Sequence, residues 1–350
     1  MNPETEQHSS APIRTVEQLE ELLSEPTPAV IETLRRLDGD ILLLGVAGKM
    51  GPTLARMARR ASDAAGVRRR VIGVSRFSSR DQETTLNTHG VETIRCDLLQ
   101  EAEVDNLPEA PNIIFMAGMK FGSTGQEALT WAMNSYLPAV ISRRYRRSRI
   151  VAFSTGNVYG LVPATSGGSR EVDSLNPVGE YAMSCLGRER MFEHFSRSLR
   201  IPTALLRLNY ACELRYGVLV DLAQRVWAEE PIDLAMGHFN IIWQGDANAM
   251  TLQALDSVAV PPCVLNVTGP ERLSVREVCV TFGRLMNRRV TFRGSESATA
   301  FLSDVQIARQ LFGPPRVTAE ALMHWIANWV MRGGATLGKP THFDLRDGKY

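Results

Sequence analysis

The sequence lacks the features of several protein classes. No run of about 18 apolar residues is present, so no membrane-spanning helix is predicted. The polar, acidic N-terminus MNPETEQHSSAPIRT has no apolar segment typical of a secretion signal. Basic and acidic side chains balance, at 39 against 38, which argues against nucleic acid or an anionic membrane as partner. We therefore expect a soluble, cytoplasmic protein.

Cysteine and histidine are sparse and show no functional spacing. The five cysteines are scattered, odd in number and without a C-x-x-C pair, which favours a reducing compartment over a disulfide framework. The six histidines show no H-E-x-x-H or similar ligand spacing. No metal site is predicted.

The stretch ILLLGVAGKMG at 41–51 is the first feature that predicts chemistry. A short apolar strand leads into three glycines and then a helical segment. In a dinucleotide site, Gly45 would permit the turn, Gly48 would let a pyrophosphate approach the backbone, and Gly51 would allow close helix packing. The spacing G-x-x-G-x-x-G is weak evidence alone, because an ordinary strand-to-helix turn can contain the same glycines.

Short apolar runs alternate with helical periods after residue 41, which indicates an α/β fold with a doubly wound parallel sheet, a Rossmann fold. The pattern weakens after Leu208, which suggests a smaller C-terminal α/β substrate domain. Strands are predicted at 41–44, 71–74, 92–95, 112–116, 150–154, 203–208, 239–243 and 263–267. Helices are predicted at 16–23, 28–37, 50–64, 125–144, 179–199, 218–228, 246–256, 274–286, 303–312 and 318–331.

The domain organisation follows from these elements. Residues 1–14 look disordered within an N-terminal helical extension over 1–38 that packs on the main domain. The NAD(P)-binding domain is predicted at 39–208, with 239–262 returning to it. The substrate-binding domain is predicted at 209–238 and 263–332, followed by a C-terminal tail at 333–350 whose order the sequence does not decide.

The second and third strands end in residues suited to an adenosine site. Ser75 and Arg76 stand where an acid would normally hold the ribose hydroxyls, and a small residue followed by arginine favours a 2′-phosphate, hence NADP over NAD. A surface arginine is the alternative reading. Asp97 is suited to accept a hydrogen bond from the adenine amino group, or it is a solvated turn aspartate.

Two later strand ends contribute further candidates. Ala117-Gly118 gives a smooth backbone against a cofactor, and Lys120 projects from the same loop toward pyrophosphate or nicotinamide ribose, or into solvent. Thr155 ends the strand in IVAFSTGNVYG, and Tyr181 begins the next predicted helix. Together they suit a substrate carbonyl or alcohol, with the threonine binding the oxygen and the tyrosine transferring a proton.

With these motifs the chain resembles, over roughly 40–330, an extended short-chain dehydrogenase/reductase of the NAD-dependent epimerase/dehydratase family, which includes UDP-galactose 4-epimerase. The resemblance implies Thr155, Tyr181, Lys120 and Asn134 as the catalytic set. It also implies homodimerisation through helices 125–144 and 179–199, which carry a stripe of Trp131, Ser135 and Tyr136; two surface helices on a monomer are the alternative. The cofactor-binding residues are expected to be Gly45, Gly48, Lys49, Met50, Gly51, Ser75, Arg76, Asp97, Leu98, Ala117, Gly118, Lys120, Tyr181 and Cys185.

Two departures from the family pattern bear on activity. Cys185 replaces the lysine of Y-x-x-x-K, whose cation normally lowers the tyrosine pKa and binds the nicotinamide ribose. Lys120 is a candidate to supply that charge, and Cys185 is either an inert helix-face cysteine or a nucleophile or redox switch. Gly156 and Asn157 stand where 4,6-dehydratases carry an acidic pair, which argues against dehydration.

The sequence therefore predicts an NAD(P)-dependent oxidoreductase or epimerase acting on a hydroxyl or keto group of a sugar or nucleotide-sugar-like substrate. The alternative, motivated by Cys185, is a non-catalytic or weakly catalytic NAD(P)-binding regulatory protein of the same fold.

Overall fold

The computed structural model describes residues 12–349. The predicted disorder of residues 1–14 therefore falls mostly outside the described residues. The helices are α1 (Val16–Leu23), α2 (Pro28–Arg36), α3 (Gly51–Ala64), α4 (Arg80–Thr88), α5 (Glu101–Asp105), α6 (Glu127–Trp131), α7 (Leu137–Arg144), α8 (Gly179–Leu199), α9 (Val218–Trp227), α10 (Gln244–Gln253), α11 (Val275–Met286), α12 (Gln306–Phe312) and α13 (Ala319–Met331).

The strands include seven longer ones and several of two residues. They are β1 (Ile41–Leu44), β2 (Val71–Ser75), β3 (Glu92–Arg95), β4 (Asn112–Phe115), β5 (Arg149–Thr155), β6 (Val162–Pro163), β7 (Thr203–Leu208), β8 (Ala211–Cys212), β9 (Ile232–Asp233), β10 (His238–Phe239), β11 (Ile242–Trp243), β12 (Cys263–Val267), β13 (Leu273–Ser274), β14 (Phe292–Arg293) and β15 (Thr299–Ala300).

The central sheet has seven parallel strands in the order β12-β7-β5-β4-β1-β2-β3. Strand β1 pairs with β2 on one side and with β4 on the other, so that Leu44 lies opposite both Val74 and Phe115. The strand order reverses direction at β1, and a crevice therefore opens between β1 and β4 at their carboxyl ends. This is the doubly wound α/β fold predicted from the sequence.

Alternating residues of β1 build the cores on the two faces of the sheet. Ile41 and Leu43 join one buried cluster with helices α2, α3 and α10, whereas Leu42 and Leu44 join another with α7 and α8. All four side chains are fully buried. Burial on both faces explains why the sequence reads as a continuous apolar run instead of an alternating one.

A third core lies mainly under the C-terminal elements, where α9, α11 and α13 pack together. Leu19 and Leu23 of α1 join this core, whereas α2 packs on the face of the sheet. The predicted N-terminal extension is thus divided between two cores. Strand β12, which the sequence prediction assigned to the substrate domain, pairs with β7 at the edge of the central sheet.

The predicted elements and the structure differ in a few places. Helices α4 and α5 were not predicted, and the predicted strand 239–243 is two short strands, β10 and β11. The predicted helix 125–144 contains a π-helical turn, Ala132–Tyr136, between α6 and α7. None of the helices in the described part of the chain is long and apolar enough to cross a membrane.

The C-terminal tail is ordered against both halves of the molecule. Phe343 is buried with its ring 6.0 Å from that of Phe239, and Thr341 donates its N–H and hydroxyl to Asp221. The backbone of Gly348 lies against Gly179, at the start of α8. The tail therefore runs from the C-terminal core to the helix that carries Tyr181.

Candidate active site

The three glycines of the 41–51 stretch have the different surroundings that a dinucleotide turn requires. Gly45 has a positive φ of 92°, and a Cβ there would lie 2.7 Å from the backbone of Ala117. A Cβ on Gly51 would lie 2.0 Å from the carbonyl oxygen of Val46, because α3 begins in close contact with the turn. A Cβ on Gly48 would meet only the Gly45 oxygen, at 3.5 Å. The open backbone at Gly48 fits a pyrophosphate.

The residues predicted for the adenosine end lie at neighbouring strand ends. Ser75 ends β2, and its carbonyl accepts the N–H of Cys96, which places Asp97 beside it. Arg76 is exposed, whereas Leu98 is buried. Arg95 was missed in the sequence analysis; its guanidinium pairs with Glu83 and donates to the carbonyl of Phe77. This edge therefore carries two arginines, of which Arg95 already has a carboxylate partner.

Asn134 holds the loop after β4 and does not line the cavity described below. Its fully buried side chain accepts the N–H of Met119 and donates to the Met119 carbonyl and the Ser184 hydroxyl. Arg188 donates to the same amide oxygen, and its guanidinium lies where a Cβ on Gly118 would be. Asn134 is thus placed to position the Ala117–Lys120 loop.

Thr155, Tyr181, Lys120 and Lys49 line one cavity of about 160 Å³ at the carboxyl edge of the sheet. Thr155 ends β5, where its hydroxyl accepts the N–H of Asn157. Tyr181 lies in the first turn of α8, and the Lys120 ammonium is 5.6 Å from the centre of its ring. The structure therefore brings together three of the four predicted catalytic residues.

The two lysines of the cavity lie beside the same aromatic ring. The distance to the centre of the Phe121 ring is 5.1 Å from the Lys49 ammonium and 5.5 Å from that of Lys120. Burial, with the charge of Lys120 next in effect, lowers the pKa of Lys49 to about 7. Burial likewise lowers the pKa of Lys120 to about 8. Both amines therefore exchange protons closer to neutrality than an ordinary lysine.

Cys185 is fully enclosed at the place where the family pattern has lysine. It packs with Val158 and Tyr159, and Tyr181 lies at the edge of this small cluster. Burial raises the pKa of the thiol, although Arg188 and a hydrogen bond with Tyr181 act in the opposite direction. A buried thiol with a raised pKa is a poor nucleophile, so the structure favours the inert reading.

Sequence reasoning missed a buried polar network behind Thr155. The hydroxyl of Ser154 donates to Glu189 at 2.5 Å, and Glu189 pairs with Arg207 at 2.7 Å. Arg207 also donates to the hydroxyl of Tyr159, which donates to Asn266. The network joins β5, α8, β7 and β12, and so fixes the strand that presents Thr155 relative to the helix that presents Tyr181.

Further residues of the cavity wall come from segments with no motif. Tyr216 lies under Lys49, whose ammonium is 2.9 Å from the ring centre, and Gln244 begins α10. Thr341 belongs to the C-terminal tail. The cavity is smaller than the ~300–1,000 Å³ of a typical ligand site, with Tyr216 and Thr341 among the residues that close it.

One segment of the chain matches a known protein family. Residues 41–212 match the model of the NAD dependent epimerase/dehydratase family. Over these residues the chain is similar to that family. The match covers the glycine turn, Thr155, Tyr181 and Cys185, but it ends before Tyr216, Gln244 and Thr341. No curated protein matches the chain.

Solved structures of sugar-nucleotide enzymes share the fold. UDP-glucose 4-epimerase from Thermotoga maritima is 15% identical with a TM-score of 0.70, covering 84% of this chain and 99% of that one. UDP-glucuronic acid 4-epimerase from Bacillus cereus, with UDP-glucuronic acid and NAD, is 17% identical with a TM-score of 0.68, covering 84% and 99%. dTDP-glucose 4,6-dehydratase from Bacillus anthracis, with NAD, is 14% identical with a TM-score of 0.70, covering 84% and 97%. At these identities the likeness shows the epimerase/dehydratase fold alone.

Proposed function

We propose that the protein is an NAD(P)-dependent oxidoreductase or epimerase acting on a hydroxyl or keto group of a sugar or nucleotide sugar. The observation that supports this proposal most directly is the cavity that Thr155, Tyr181 and Lys120 line beside the glycine turn. The similar structures with bound NAD and UDP-sugars support the proposal in its substrate and cofactor class.

The geometry of the cavity supports the following roles. Gly48 and the start of α3 would hold the pyrophosphate, and Ala117 and Lys120 would border the nicotinamide end. The Thr155 hydroxyl would bind the substrate oxygen while Tyr181 exchanges its proton. The bound dinucleotide would supply hydride transfer. Lys120, beside the Tyr181 ring, would provide the positive charge that Cys185 does not.

Dehydration is disfavoured by packing as well as by sequence. Gly156 and Asn157 are both buried, and a Cβ on Gly156 would lie 3.2 Å from Asn209 and from Ser303. An acidic side chain at 156 would therefore have to displace the side chains of Asn209 and Ser303.

Turnover of a panel of nucleotide sugars and polyols with NAD and NADP tests the proposal. We expect interconversion or oxidation of at least one member, reduced about 10²-fold or more in Tyr181→Phe, which cannot exchange the proton. Cys185→Lys restores the family lysine and should raise the rate. Absence of turnover in both the wild type and Cys185→Lys would contradict the proposal.

The preference for NADP is a further proposal, which rests on Ser75 and the exposed Arg76. Replacing Arg76 with alanine should weaken NADP binding about 10-fold while leaving NAD binding unchanged, because only NADP carries the 2′-phosphate. Titration of both cofactors, together with native mass spectrometry of the protein as purified, measures this. Equal loss for both cofactors would contradict it.

The second candidate is an NAD(P)-binding protein that does not turn over substrate, favoured by the buried Cys185. In that case Thr155→Val and Tyr181→Phe would leave its cellular role intact, whereas a bulky side chain at Gly48 would abolish it. The reverse pattern favours the enzyme.

Three broader expectations remain proposals. They are homodimerisation through α6–α7 and α8, a cytoplasmic location, and the division into NAD(P)-binding and substrate-binding domains. Exposed Leu129, Trp131 and Met183 on α6 and α8 support the first. Ser135 faces α8 instead, because its hydroxyl donates to the Ser184 carbonyl and lies 2.4 Å from where a Cβ on Gly187 would be.

A further inference from the structure

The C-terminal tail forms part of the wall of the candidate cavity. Thr341 is buried and lines the cavity, and its N–H and hydroxyl both donate to Asp221 of α9. The ring of the next residue, His342, lies 6.2 Å from the ring of Phe121, in the loop after β4 that also carries Lys120. The tail therefore contacts both the C-terminal core and the loop that follows the central strand β4.

The end of the tail fits closely against the start of the helix that carries Tyr181. Gly348 and Gly179 have positive φ angles of 73° and 80°, and their backbones are in contact. A Cβ on Gly348 would lie 2.2 Å from the carbonyl oxygen of Val178, and a Cβ on Gly179 would lie 2.5 Å from that of Gly348. Only glycine at both positions permits this contact, which lies two residues before Tyr181 in the sequence.

Arg346 fixes the tail between these two contacts. Its guanidinium donates to the carbonyls of Ala235 and Thr299, at 3.2 and 2.9 Å, and to the Thr299 hydroxyl at 2.5 Å. We call residues 341–348 the strap. Chain termini are seldom ordered unless contacts of this kind hold them, so the strap is a structural part of the site.

The strap leaves little room for a substrate. The cavity measures about 160 Å³, whereas sites for drug-sized ligands measure ~300–1,000 Å³. A nucleotide sugar consists of a sugar, a diphosphate, a ribose and a base, so only its sugar fits a cavity of this size. The dinucleotide would lie along the glycine turn. The rest of a nucleotide sugar would therefore extend toward the C-terminal elements, where the strap lies.

We propose that the strap determines substrate specificity: it restricts the site to a free sugar or polyol and excludes substrates that are attached to a nucleotide. The inference rests on the proposed oxidoreductase or epimerase function and names its substrate class. The strap acts by occupying space, so the roles of Thr155, Tyr181 and Lys120 stay as proposed above.

A pair of glycines in the tail supplies a release variant and its control. Gly338 and Gly348 have positive φ angles of 62° and 73°, so alanine strains the backbone at either position. The new methyl group meets open space at Gly338 but the Val178 carbonyl at Gly348. Arg346→Ala/Gly348→Ala should therefore release the strap, and Gly338→Ala is the control. Phe343 stays in place in both proteins and keeps the core intact.

The first test measures access to the cavity and needs neither cofactor nor substrate. Thr155→Cys places a thiol on the cavity wall, in a Cys263→Ala background that removes the only cysteine of the described residues that is not buried. Methyl methanethiosulfonate is a small thiol reagent, and dithiobis(nitrobenzoate) is a large one with two aromatic rings. We expect the small reagent to react whether or not the strap is released.

Release of the strap should speed the reaction of the large reagent by at least about 10-fold, because the closed strap admits it only during local opening. Gly338→Ala should not change either rate. Urea unfolding checks that the variants are folded, and Gly348→Ala alone replaces the double variant if that one is unstable. A rate for the large reagent that does not change on release overturns the proposal and leaves the proposed function standing.

The second test compares kcat/KM for free sugars and polyols with kcat/KM for nucleotide sugars. In the wild type we expect a preference for the free substrates of at least about 10²-fold. In the release variant this preference should be at least about 10-fold smaller, chiefly through a lower KM for nucleotide sugars. Gly338→Ala should keep the wild-type preference.

Two outcomes of the second test overturn the proposal. A wild type that prefers nucleotide sugars would show that the strap does not exclude them, and the proposed function would stand. A preference that release leaves unchanged would show that other parts of the wall set the size limit. If neither the wild type nor Cys185→Lys turns over any substrate, the proposed function falls and the substrate class falls with it.

Discussion

The glycines in the turn after β1 have different surroundings, although they are evenly spaced in the sequence. Gly51 is enclosed by the Val46 backbone, and Gly48 faces open space. The sequence predicts these roles because a strand–glycine–helix pattern has few solutions. It does not predict that Asn134 is buried behind the loop, since that depends on the distant Ser184 and Arg188.

Gly48→Ala and Gly51→Ala form a matched pair of variants. Gly51→Ala should lower the free energy of unfolding by at least about 1–3 kcal/mol, because the new methyl group overlaps the Val46 carbonyl. Gly48→Ala should leave the unfolding midpoint nearly unchanged but weaken dinucleotide binding at least 10-fold. Urea unfolding and cofactor titration measure the two effects. Equal loss of stability in both variants would contradict the separation.

The lowered pKa of Lys49 also predicts a pH dependence of stability. Between its folded pKa of about 7 and its unfolded value near ~10.4, the unfolded chain binds a proton that the folded chain does not, so stability rises with pH across this window. Lys49→Met should remove this contribution. The stability of the variant relative to wild type should therefore be greatest near pH 6 and decline toward pH 10.

Urea unfolding at several pH values measures this difference, and Lys349→Met is the control. Because Lys120 is present in both the variant and the wild type, part of the rise of stability with pH should remain in the variant. A difference between Lys49→Met and wild type that does not change with pH would contradict the prediction.

At the scale of elements, prediction succeeded where a segment has its own apolar pattern. Helices α1 and α8 and strands β1, β3, β7 and β12 have the predicted bounds. Helix α4, RDQETTLNT, was missed because Leu86 is its single buried residue and no apolar stripe marks it. The order of the C-terminal tail could not be predicted either, because it depends on contacts with residues far away in the sequence.

Phe343 is the buried side chain that holds the C-terminal tail, so its replacement should detach the tail. Phe343→Ala should destabilise the protein by about 3–5 kcal/mol through lost burial and should speed hydrogen exchange over 337–349. Because Thr341 is a wall of the candidate cavity, ligand association should also become faster. Lys349→Ala, at an exposed tail position, serves as the control. Unchanged exchange in the tail of Phe343→Ala would show that other contacts hold it.

For the whole molecule, the exposed apolar side chains on α6 and α8 bear on assembly. Leu129 is 42% exposed and Met183 39% exposed on adjacent helices. If these helices form the proposed dimer interface, Leu129→Arg should convert dimer to monomer in sedimentation or native mass measurements, because a charge would be buried at the contact. Leu311→Arg, 50% exposed on α12, should leave the assembly state unchanged. A wild-type monomer would contradict the proposal.

Only the part of the candidate site that lies on the central sheet could be predicted from the sequence. The central sheet follows from local patterns, and it carries the glycine turn and Thr155. The walls contributed by Tyr216, Gln244 and Thr341 come from outside the family match, so neither motif nor family pattern identifies them.

The tail can be regarded as a peptide ligand that the chain carries covalently. Segment 333–349 is short and contiguous, and its attachment combines one buried ring with the hydrogen bonds of Thr341 and of Arg346, whose guanidinium donates to the carbonyls of Ala235 and Thr299. Its effective concentration at its own groove is set by the connection at Arg332. A chain cut after Arg332 should therefore rebind the peptide GGATLGKPTHFDLRDGK in trans, with an affinity that measures how firmly the tail is held.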